Sequence, residues 1–213
     1  PLSTGITGAS GLLEQITQFE HTYSDGRMRR SDLENCLGTI KETAQIILSN
    51  LNRAAELNRS FKVIAVDQCH EVRRRFAIKA YIEEILLSLR PKLKRTRHHI
   101  TVNCHEMLEM ETNSGAFSQI LSNLIMNSLL HGFDGIEQGE ITLDVHEESG
   151  HIFLTYADNG NGIPADYVEK IFAPFFTTKR DKGGSGLGLH IVHRLVTETL
   201  KGQIACESQP GNG

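Results

Sequence analysis

Residues 152–162 read Ile-Phe-Leu-Thr-Tyr-Ala-Asp-Asn-Gly-Asn-Gly, an alternating run that ends in an acidic, glycine-rich turn. The alternation predicts a strand from Ile152 to Ala157. Asp158 follows this strand directly, where a carboxylate can accept a hydrogen bond from an exocyclic amine. Gly160 and Gly162 have no side chain, so the backbone there can pass close to a flat ring. The turn alone is weak evidence for a site, because an ordinary acidic β-turn has the same composition.

The same stretch also satisfies a loose dinucleotide-binding fingerprint, because Gly160, Gly162 and Ala165 have the spacing Gly-x-Gly-x-x-Ala. Two features disfavour that interpretation. Pro164 occupies the loop, and no clear strand leads from the next helix to an acidic residue that could bind a ribose. Asp181 has roughly the required spacing, but it lies in a loop rich in Gly and Lys. A Rossmann-type site is therefore not expected here.

A second glycine-rich stretch, residues 183–189, reads Gly-Gly-Ser-Gly-Leu-Gly-Leu and opens a predicted helix from Gly188 to Leu200. Closely spaced glycines before a helix present backbone N–H groups to a phosphate, and the helix dipole favours the negative charge. No Lys follows the last Gly, so the stretch is not a P-loop. A flexible linker is the alternative interpretation.

Asn123 and Asn127 lie one turn apart on a helix predicted from Ser118 to Leu130, so their side chains share a face. Two amides in this arrangement suit coordination of Mg²⁺ and hydrogen bonding to phosphate oxygens. Asn pairs on helices are more often surface or capping residues, and that alternative stays open at this point.

The second half of the chain, from about Arg75, mixes strands and helices irregularly. The predicted strands are Phe76–Ile78, His99–Cys104, Glu140–His146, Ile152–Ala157 and Gln203–Glu207. A further helix is predicted from Tyr81 to Leu89, ending before Pro91. Residues 147–150, Glu-Glu-Ser-Gly, predict a hairpin turn. This order predicts the α+β class, as a sandwich of a mixed, mostly antiparallel sheet with helices on one face.

The first stretch, from Leu2 to about Phe61, is predicted to form two helices. Ser24-Asp25-Gly26 supplies turn chemistry between them, and Ser31 with Glu34 resembles a capping box. The second helix has a heptad seam at Leu33, Leu37, Ile40, Ala44, Ile47, Leu51 and Ala54. A hairpin of this size cannot bury both of its apolar stripes alone. We therefore expect a homodimer that forms a four-helix bundle, with packing on the second half as the alternative.

Composition excludes several classes of protein. Apolar residues make up 39% of the 213-residue chain and charged residues 23%, which is ordinary globular usage. A net charge of −4 argues against a general nucleic-acid binder. No apolar run approaches the roughly 20 residues that a membrane-spanning helix needs, so no membrane contact is expected from this stretch. The four cysteines lie far apart, which fits reduced thiols in the cytoplasm better than disulfides or a zinc site.

Together and in this order, the motifs resemble the catalytic and ATP-binding domain of bacterial sensor histidine kinases, whose fold is shared with gyrase, Hsp90 and MutL. Residues 119–131 resemble the N box of that family, and residues 158–162 resemble its first Gly box. Residues 171–179, Ile-Phe-Ala-Pro-Phe-Phe-Thr-Thr-Lys, resemble the F box that begins the ATP lid, and residues 183–189 resemble the second Gly box. The resemblance implies a dimerisation hairpin over 1–61, a linker over 62–75 and a catalytic domain over 76–213.

The resemblance also implies a role for each matching residue. Asp158 would receive the adenine amino group, Asn127 would bind Mg²⁺, and the second Gly box would contact the phosphates. Phe172, Phe175 and Phe176 would anchor the lid. Many members have a basic residue where this chain has Leu130, so His131, Lys179 or Arg180 would supply that charge. The implied ATP-binding set is Asn123, Asn127, His131, Asp158, Gly160, Gly162, Thr178, Lys179, Gly184, Gly186, Leu187 and Gly188.

Asn123 bears on the reaction. ATP-splitting relatives carry a Glu one turn before the Mg²⁺-binding Asn, and Asn123 cannot act as a base in its place. The resemblance therefore implies transfer of the γ-phosphoryl group to a histidine, followed by relay to a response regulator receiver domain. The alternatives are an ATP-hydrolysing conformational machine of the same fold and a nucleotide-free dimerisation module.

Both ends of the family pattern are missing from residues 1–213. The phosphoacceptor motif, His-Glu-x-x-x-Pro-Leu, is expected just before Pro1, and a last strand is expected after Gly213. We therefore expect this chain to be a fragment of the cytoplasmic part of a sensor. His21 lacks the acidic residue and the Pro that accompany the acceptor in the family, so it is not expected to replace it.

Overall fold

The computed structural model describes residues 2–24, 29–65, 73–94, 96–179 and 184–211. The chain divides into two compact units with the boundary between Lys62 and Val63, and Gly184 and Ser185 are grouped with the first unit. Among the described residues, no helix is both long enough and apolar enough to cross a membrane. Residues 66–72 of the expected linker, together with Asp25, Gly26, Arg180 and Gly183, lie outside the described residues.

The first unit contains two helices, α1 (Leu2–Ser24) and α2 (Arg30–Ala65), in the places where two helices were predicted. The two helices approach closely at Gly8, where an added Cβ would lie 3.1 Å from Cγ1 of Ile47. The predicted capping box was wrong. Helix α2 already begins at Arg30, and the Arg29 N–H donates to the Asp32 carboxylate at 3.0 Å, so Ser31 lies inside the first turn.

The heptad seam of α2 is only partly covered by α1. Leu33, Leu37 and Leu51 are 39%, 56% and 50% exposed, whereas Ile40 and Ile47 are half-buried. Within a single chain the first unit therefore leaves a row of large apolar side chains facing outward, as an unpaired seam does.

The second unit contains two small sheets. Strands β1 (Arg74–Ala77) and β3 (Glu109–Thr112) pair antiparallel. The other sheet has the order β2–β4–β5, from β2 (His99–Cys104), β4 (Glu140–Glu148) and β5 (His151–Asp158). Strand β4 is parallel to β2 and antiparallel to β5, which makes the sheet mixed. The predicted α+β class is confirmed.

Helices α3 (Ile78–Leu93), α4 (Ser114–Asn127) and α6 (Gly188–Arg194) belong to the same unit, and the single turn α5 covers Ala165–Val168. A core forms where α3 and α4 meet β4. Its buried residues are Ile78, Ile82, Ile85, Phe117, Leu121, Leu143 and Val145. The β4–β5 hairpin closes through Ser149 and Gly150, which both have positive φ, so the turn matches the strand twist.

Two predicted elements differ from the structure. Helix α3 continues past Pro91 to Leu93. Pro91 has no N–H, so only the hydrogen bond to the Leu87 carbonyl is lost, and Leu87 lies on an exposed part of the helix. Residues 203–207 do not form the predicted strand. Alternate side chains there are half-buried, but no ladder forms with any described strand.

Candidate nucleotide site

Asp158 ends β5, and both oxygens of its carboxylate are held by the second unit. The Gly160 N–H donates to Oδ1 at 3.0 Å, and the Ser128 hydroxyl donates to Oδ2 at 2.6 Å. Gly160 is buried, and a Cβ there would lie 2.6 Å from the Gly132 carbonyl oxygen and 2.7 Å from Asp158 Oδ1. Only glycine fits between these two oxygens, so the first Gly box fixes the position of the Asp158 carboxylate.

The Asn pair lies at the end of α4, which begins at an Asn113 cap whose side chain accepts from the Ala116 N–H. The helix widens into a π-helical turn from Ser128 to Gly132 directly after Asn127. Among the described residues, the buried side-chain nitrogens without a hydrogen-bond partner are Nδ2 of Asn123 and Nδ2 of Asn127. A buried N–H group without a hydrogen-bond partner lowers the stability of a protein. Two such groups one helical turn apart therefore indicate a binding place for a ligand rich in acceptors.

The N-terminus of α6 lies beside Asn127. A Cβ on Gly188 would lie 3.3 Å from Oδ1 of Asn127, so the glycine leaves the Asn127 amide room. Gly186 has φ +69°, and a Cβ on it would lie 2.5 Å from the Phe175 carbonyl carbon. Leu187 between them is buried. Gly186 therefore packs tightly against the F box, and the beginning of α6 lies beside Asn127.

The pair Asn123 and Asn127 also suits a magnesium ion. Amide oxygens are among the hard oxygen ligands that Mg²⁺ prefers, and the ion is bound by a few protein oxygens together with substrate phosphates. The Asn127 amide offers one such oxygen beside Gly188, while its nitrogen is free to donate to a phosphate. The donor set thus fits Mg²⁺ accompanied by a phosphate better than a Cys or His metal site.

His131 lies in the π-helical turn, half-buried beside the lid residues Thr178 and Lys179. Its Nδ1 is 3.4 Å from the Thr178 hydroxyl. Burial lowers the pKa of His131, the Lys179 charge lowers it further, and the Asp134 carboxylate opposes both effects. His131 is therefore kept neutral in this unit.

The Lys179 ammonium donates to the Leu130 carbonyl oxygen at 2.9 Å and pairs with the Asp134 carboxylate, with only 13% of the side chain exposed. It thus reaches Leu130, where the resemblance implied a basic residue, but the ammonium is already paired with acceptors of the protein. The other implied charge, Arg180, lies outside the described residues.

The aromatic residues of the F box differ in their surroundings. The Phe172 ring lies 5.3 Å from the His193 ring, and the Phe172 carbonyl is 3.0 Å from His190 Nδ1. Phe176 makes an edge contact with Tyr167. Phe175 has φ 65° and is 56% exposed. Phe172 and Phe176 thus anchor this segment to its neighbours more firmly than Phe175 does.

Gly162 and Gly184 are the remaining residues of the implied ATP-binding set. Gly162 has φ +66°, which a glycine adopts without strain, and the loop around it is tied to the C-terminal segment by Ser208 and Gly211. Gly184 is buried, and it is grouped with the helical unit rather than with Asp158.

Sequence reasoning missed two side chains of the site, Ser128 and Tyr156. Ser128 directly follows Asn127, and Tyr156 stands two residues before Asp158 on the same side of β5. The period-2 rule could have placed Tyr156 beside Asp158. Nothing in the sequence shows that Ser128 would bridge the two.

Residues 112–213 match the family described as histidine kinase-, DNA gyrase B-, and HSP90-like ATPase. This part of the chain belongs to that family. Relatives that match the chain are named as sensor proteins and sensor histidine kinases. The chain is 33% identical over 108 residues to the alginate biosynthesis sensor protein KinB of Pseudomonas aeruginosa, which covers 51% of this chain and 18% of KinB.

A longer match extends into the helical unit. The chain is 28% identical over 207 residues to the sensor histidine kinase ZraS of Escherichia coli O157:H7, which covers 96% of this chain and 38% of ZraS. The chain therefore spans well under half the length of these relatives.

Solved structures show the same fold. The catalytic domain of the histidine kinase ThkA has a TM-score of 0.53 and 26% identity, covering 60% of this chain and 81% of that one. ThkA in complex with the response regulator protein TrrA gives a TM-score of 0.56 at 21% identity, covering 90% of this chain and 53% of that one. The second likeness shows the fold alone.

Proposed function

We propose that this chain is the kinase core of a sensor histidine kinase, which binds Mg-ATP and transfers the γ-phosphoryl group to a histidine. The observation that carries this proposal is the pair of buried, unpartnered amide nitrogens of Asn123 and Asn127, beside the glycine-rich start of α6. Further support comes from the Asn127 amide oxygen, from the N-terminus of α6 and from the Asp158 carboxylate, which is hydrogen-bonded to Ser128 at the start of the π-helical turn.

Asp158 would recognise the adenine base. A carboxylate accepts a hydrogen bond from the 6-amino group of adenine, whereas guanine presents an acceptor oxygen there and is repelled. Gly160 has no side chain, which lets the Gly132 carbonyl approach it closely while its N–H holds Oδ1 of Asp158 in place for the base.

Asn123, Asn127 and the N–H groups at the start of α6 would hold the phosphates. Asn127 Oδ1 would bind Mg²⁺, which when bound neutralises phosphate charge and helps position the γ-phosphoryl group. Asn123 carries no group that can take a proton from water, so the site lacks a base at the position one turn before Asn127. During transfer the bond from the γ-phosphorus to the bridging oxygen of ADP breaks, and a bond from the phosphorus to an imidazole nitrogen forms.

The partners of the proposed kinase core are a second copy of this chain and a response regulator. The exposed apolar row on α2 supports the first partner. The second is proposed because the sensor kinase ThkA has been crystallised with a response regulator. A receiver-domain aspartate would then accept the phosphoryl group from the histidine.

Equilibrium binding of ATP to the full chain, with and without Mg²⁺, tests the proposal. Asp158→Asn replaces an acceptor oxygen by a donor, so affinity should fall by about 10- to 100-fold, which corresponds to about 1.5–3 kcal/mol for a hydrogen bond to a charged group. Asp144→Asn is the matched control, because the Asp144 carboxylate accepts from Asn103 at 2.8 Å on the sheet.

Three results would contradict the proposal. The unaltered chain could fail to bind ATP, which would support a nucleotide-free module. Asp158→Asn could bind ATP as tightly as the control variant. Steady release of free phosphate from ATP would indicate an ATP-hydrolysing machine of the same fold instead.

A further inference from the structure

Ser128 is the one polar residue among the buried side chains in the described part of the chain, with 3% of its surface exposed. Its hydroxyl lies 2.6 Å from Oδ2 of Asp158 and 2.6 Å from the Tyr156 hydroxyl. The Leu124 carbonyl oxygen is 3.4 Å from the same hydroxyl. Ser128 thus links a residue of β5 to the carboxylate at the end of the same strand.

The direction of these hydrogen bonds follows from counting hydrogens. The Ser128 hydroxyl has one hydrogen, and the short contact with a carboxylate oxygen is the strongest use of it. The Tyr156 hydroxyl also has one hydrogen, which it then donates to the Ser128 oxygen. Burial raises the pKa of Tyr156, so its hydroxyl keeps that hydrogen at physiological pH. The chain of donors runs from Tyr156 through Ser128 to Asp158.

This chain of donors fixes the plane of the carboxylate. The Gly160 N–H already holds Oδ1, at 3.0 Å, and a single hydrogen bond leaves rotation about the last side-chain bond of Asp158 open. The Ser128 hydroxyl holds the second oxygen from inside the protein. Each carboxylate oxygen accepts more than one hydrogen bond, so both still have room for a ligand donor.

We infer that Ser128 and Tyr156 are positioning residues that orient Asp158 toward the 6-amino group of a bound purine nucleotide and so set its selectivity for adenine. The inference rests on the proposed function. It assigns roles to two side chains that are not themselves expected to touch the base.

The test compares two nucleotides on each variant of the full chain. ATP carries the 6-amino group, and purine riboside 5′-triphosphate lacks it but keeps the sugar and the phosphates. The unaltered chain should bind ATP about 10-fold or more tightly than the analogue, as a hydrogen bond to a charged group implies. Ser128→Ala and Tyr156→Phe should each lower that ratio about 3-fold or more, because the carboxylate loses its orientation while the affinity for the analogue stays unchanged.

Tyr81→Phe and Ser88→Ala are the matched controls. The Tyr81 hydroxyl donates to the Ser114 carbonyl at 3.1 Å, and the Ser88 hydroxyl donates to the Ile85 carbonyl, both away from Asp158. These variants should keep the full ratio.

The outcomes separate this inference from the proposed function. If the unaltered chain does not bind ATP, or binds both nucleotides equally, the assignment of Asp158 fails and takes this inference with it. If the unaltered chain discriminates and Ser128→Ala and Tyr156→Phe discriminate as well as it does, the inference alone is overturned. It is also overturned if both variants lose affinity for the two nucleotides in parallel, since that result indicates a merely structural role.

Discussion

The Lys179 ammonium donates a hydrogen bond to the Leu130 carbonyl oxygen, 2.9 Å away, although 49 residues separate the two in the sequence. The contact joins the end of the F box to the π-helical turn after α4, and places a positive charge beside His131. This contact holds the start of the expected lid against the turn that carries Ser128 and His131.

Replacing Lys179 by Met should raise the pKa of His131, because the Lys179 charge disfavours protonation of the imidazole. Asp134→Asn should lower that pKa, because it removes the carboxylate that favours protonation. NMR titration of the His131 ring gives both values. Lys170→Met, at an exposed position of the same segment, should leave the titration of His131 as it is. Shifts in the same direction for Lys179→Met and Asp134→Asn would contradict the assigned contacts.

The second prediction concerns stability at acid pH. The folded unit disfavours the charged form of His131, so the pKa of His131 lies below its ordinary value of about 6.5 and the unfolded chain binds more protons. Above pH 6.5 His131 is mostly neutral in both states and costs no stability. As the pH falls below 6.5 the unfolded chain takes up the proton first, so the free energy of unfolding decreases. Burial lowers the pKa of His98 as well, which adds to the same loss.

Urea unfolding at pH 7.5 and pH 5.5 measures this loss. His131→Gln should make the difference between the two free energies of unfolding smaller, because glutamine does not titrate. His99→Gln, at an exposed position of β2, should leave the difference unchanged. An equal difference in all three proteins would show that His131 does not contribute.

Much of the fold and of the site follows from local patterns. The alternation before Asp158 predicts β5, and the helical spacing of Asn123 and Asn127 places both amides on one face. A local pattern does not show, however, whether a segment has a neighbouring strand to pair with. Residues 203–207 alternate in burial as a strand does, yet they pair with no described strand, and alternation alone cannot supply one. β3 was missed because four residues carry too little periodicity.

The contacts that complete the site join distant parts of the sequence. The Ser128 hydroxyl reaches Asp158 over 30 residues, and the Lys179 ammonium reaches Leu130 over 49. A serine after Asn127 or a lysine after the F box has no local pattern that selects these partners. They are set by how α4, β5 and the lid segment pack against each other.

The third prediction is that the exposed apolar row on α2 holds a second copy. Leu37→Asp should convert the dimer to a monomer, because a charge in the seam is tolerated only when the helices separate. Leu37 is a cleaner position than Ile47, which also packs on Gly8 within one hairpin. Sedimentation should show the monomer, and ATP affinity should not change. Thr39→Asp, an exposed polar position on α2, should remain dimeric, and a dimeric Leu37→Asp would place the interface elsewhere.

The fourth prediction concerns His21, the one histidine among residues 1–61, which lies exposed in the last turn of α1. Thr22 follows it instead of an acidic residue, and no Pro follows within the acceptor spacing. Residues 1–213 should therefore bind ATP without labelling themselves. An acid-labile, alkali-stable label from γ-labelled ATP that disappears in His21→Ala would show that His21 accepts the phosphoryl group after all.

The fifth prediction separates binding from stability at Gly188, the first residue of α6. Ala has a higher helix propensity than Gly by roughly 1 kcal/mol, so Gly188→Ala should keep or raise the free energy of unfolding. The added Cβ would lie 3.3 Å from Oδ1 of Asn127, so that amide would have to shift by a few tenths of an ångström and affinity for Mg-ATP should fall.

Gly202→Ala is the matched control, because its Cβ would meet Val196 at an ordinary 3.5 Å. Thermal melting and equilibrium binding of Mg-ATP on the same samples give the two quantities for both variants. A Gly188→Ala chain that melts at the original temperature or above, yet binds Mg-ATP several-fold more weakly than Gly202→Ala, would place the phosphates between Asn127 and the start of α6. Unchanged Mg-ATP affinity in Gly188→Ala would mean that the phosphates do not bind beside Asn127. The higher helix propensity of Ala acts on stability and could not mask a loss of affinity.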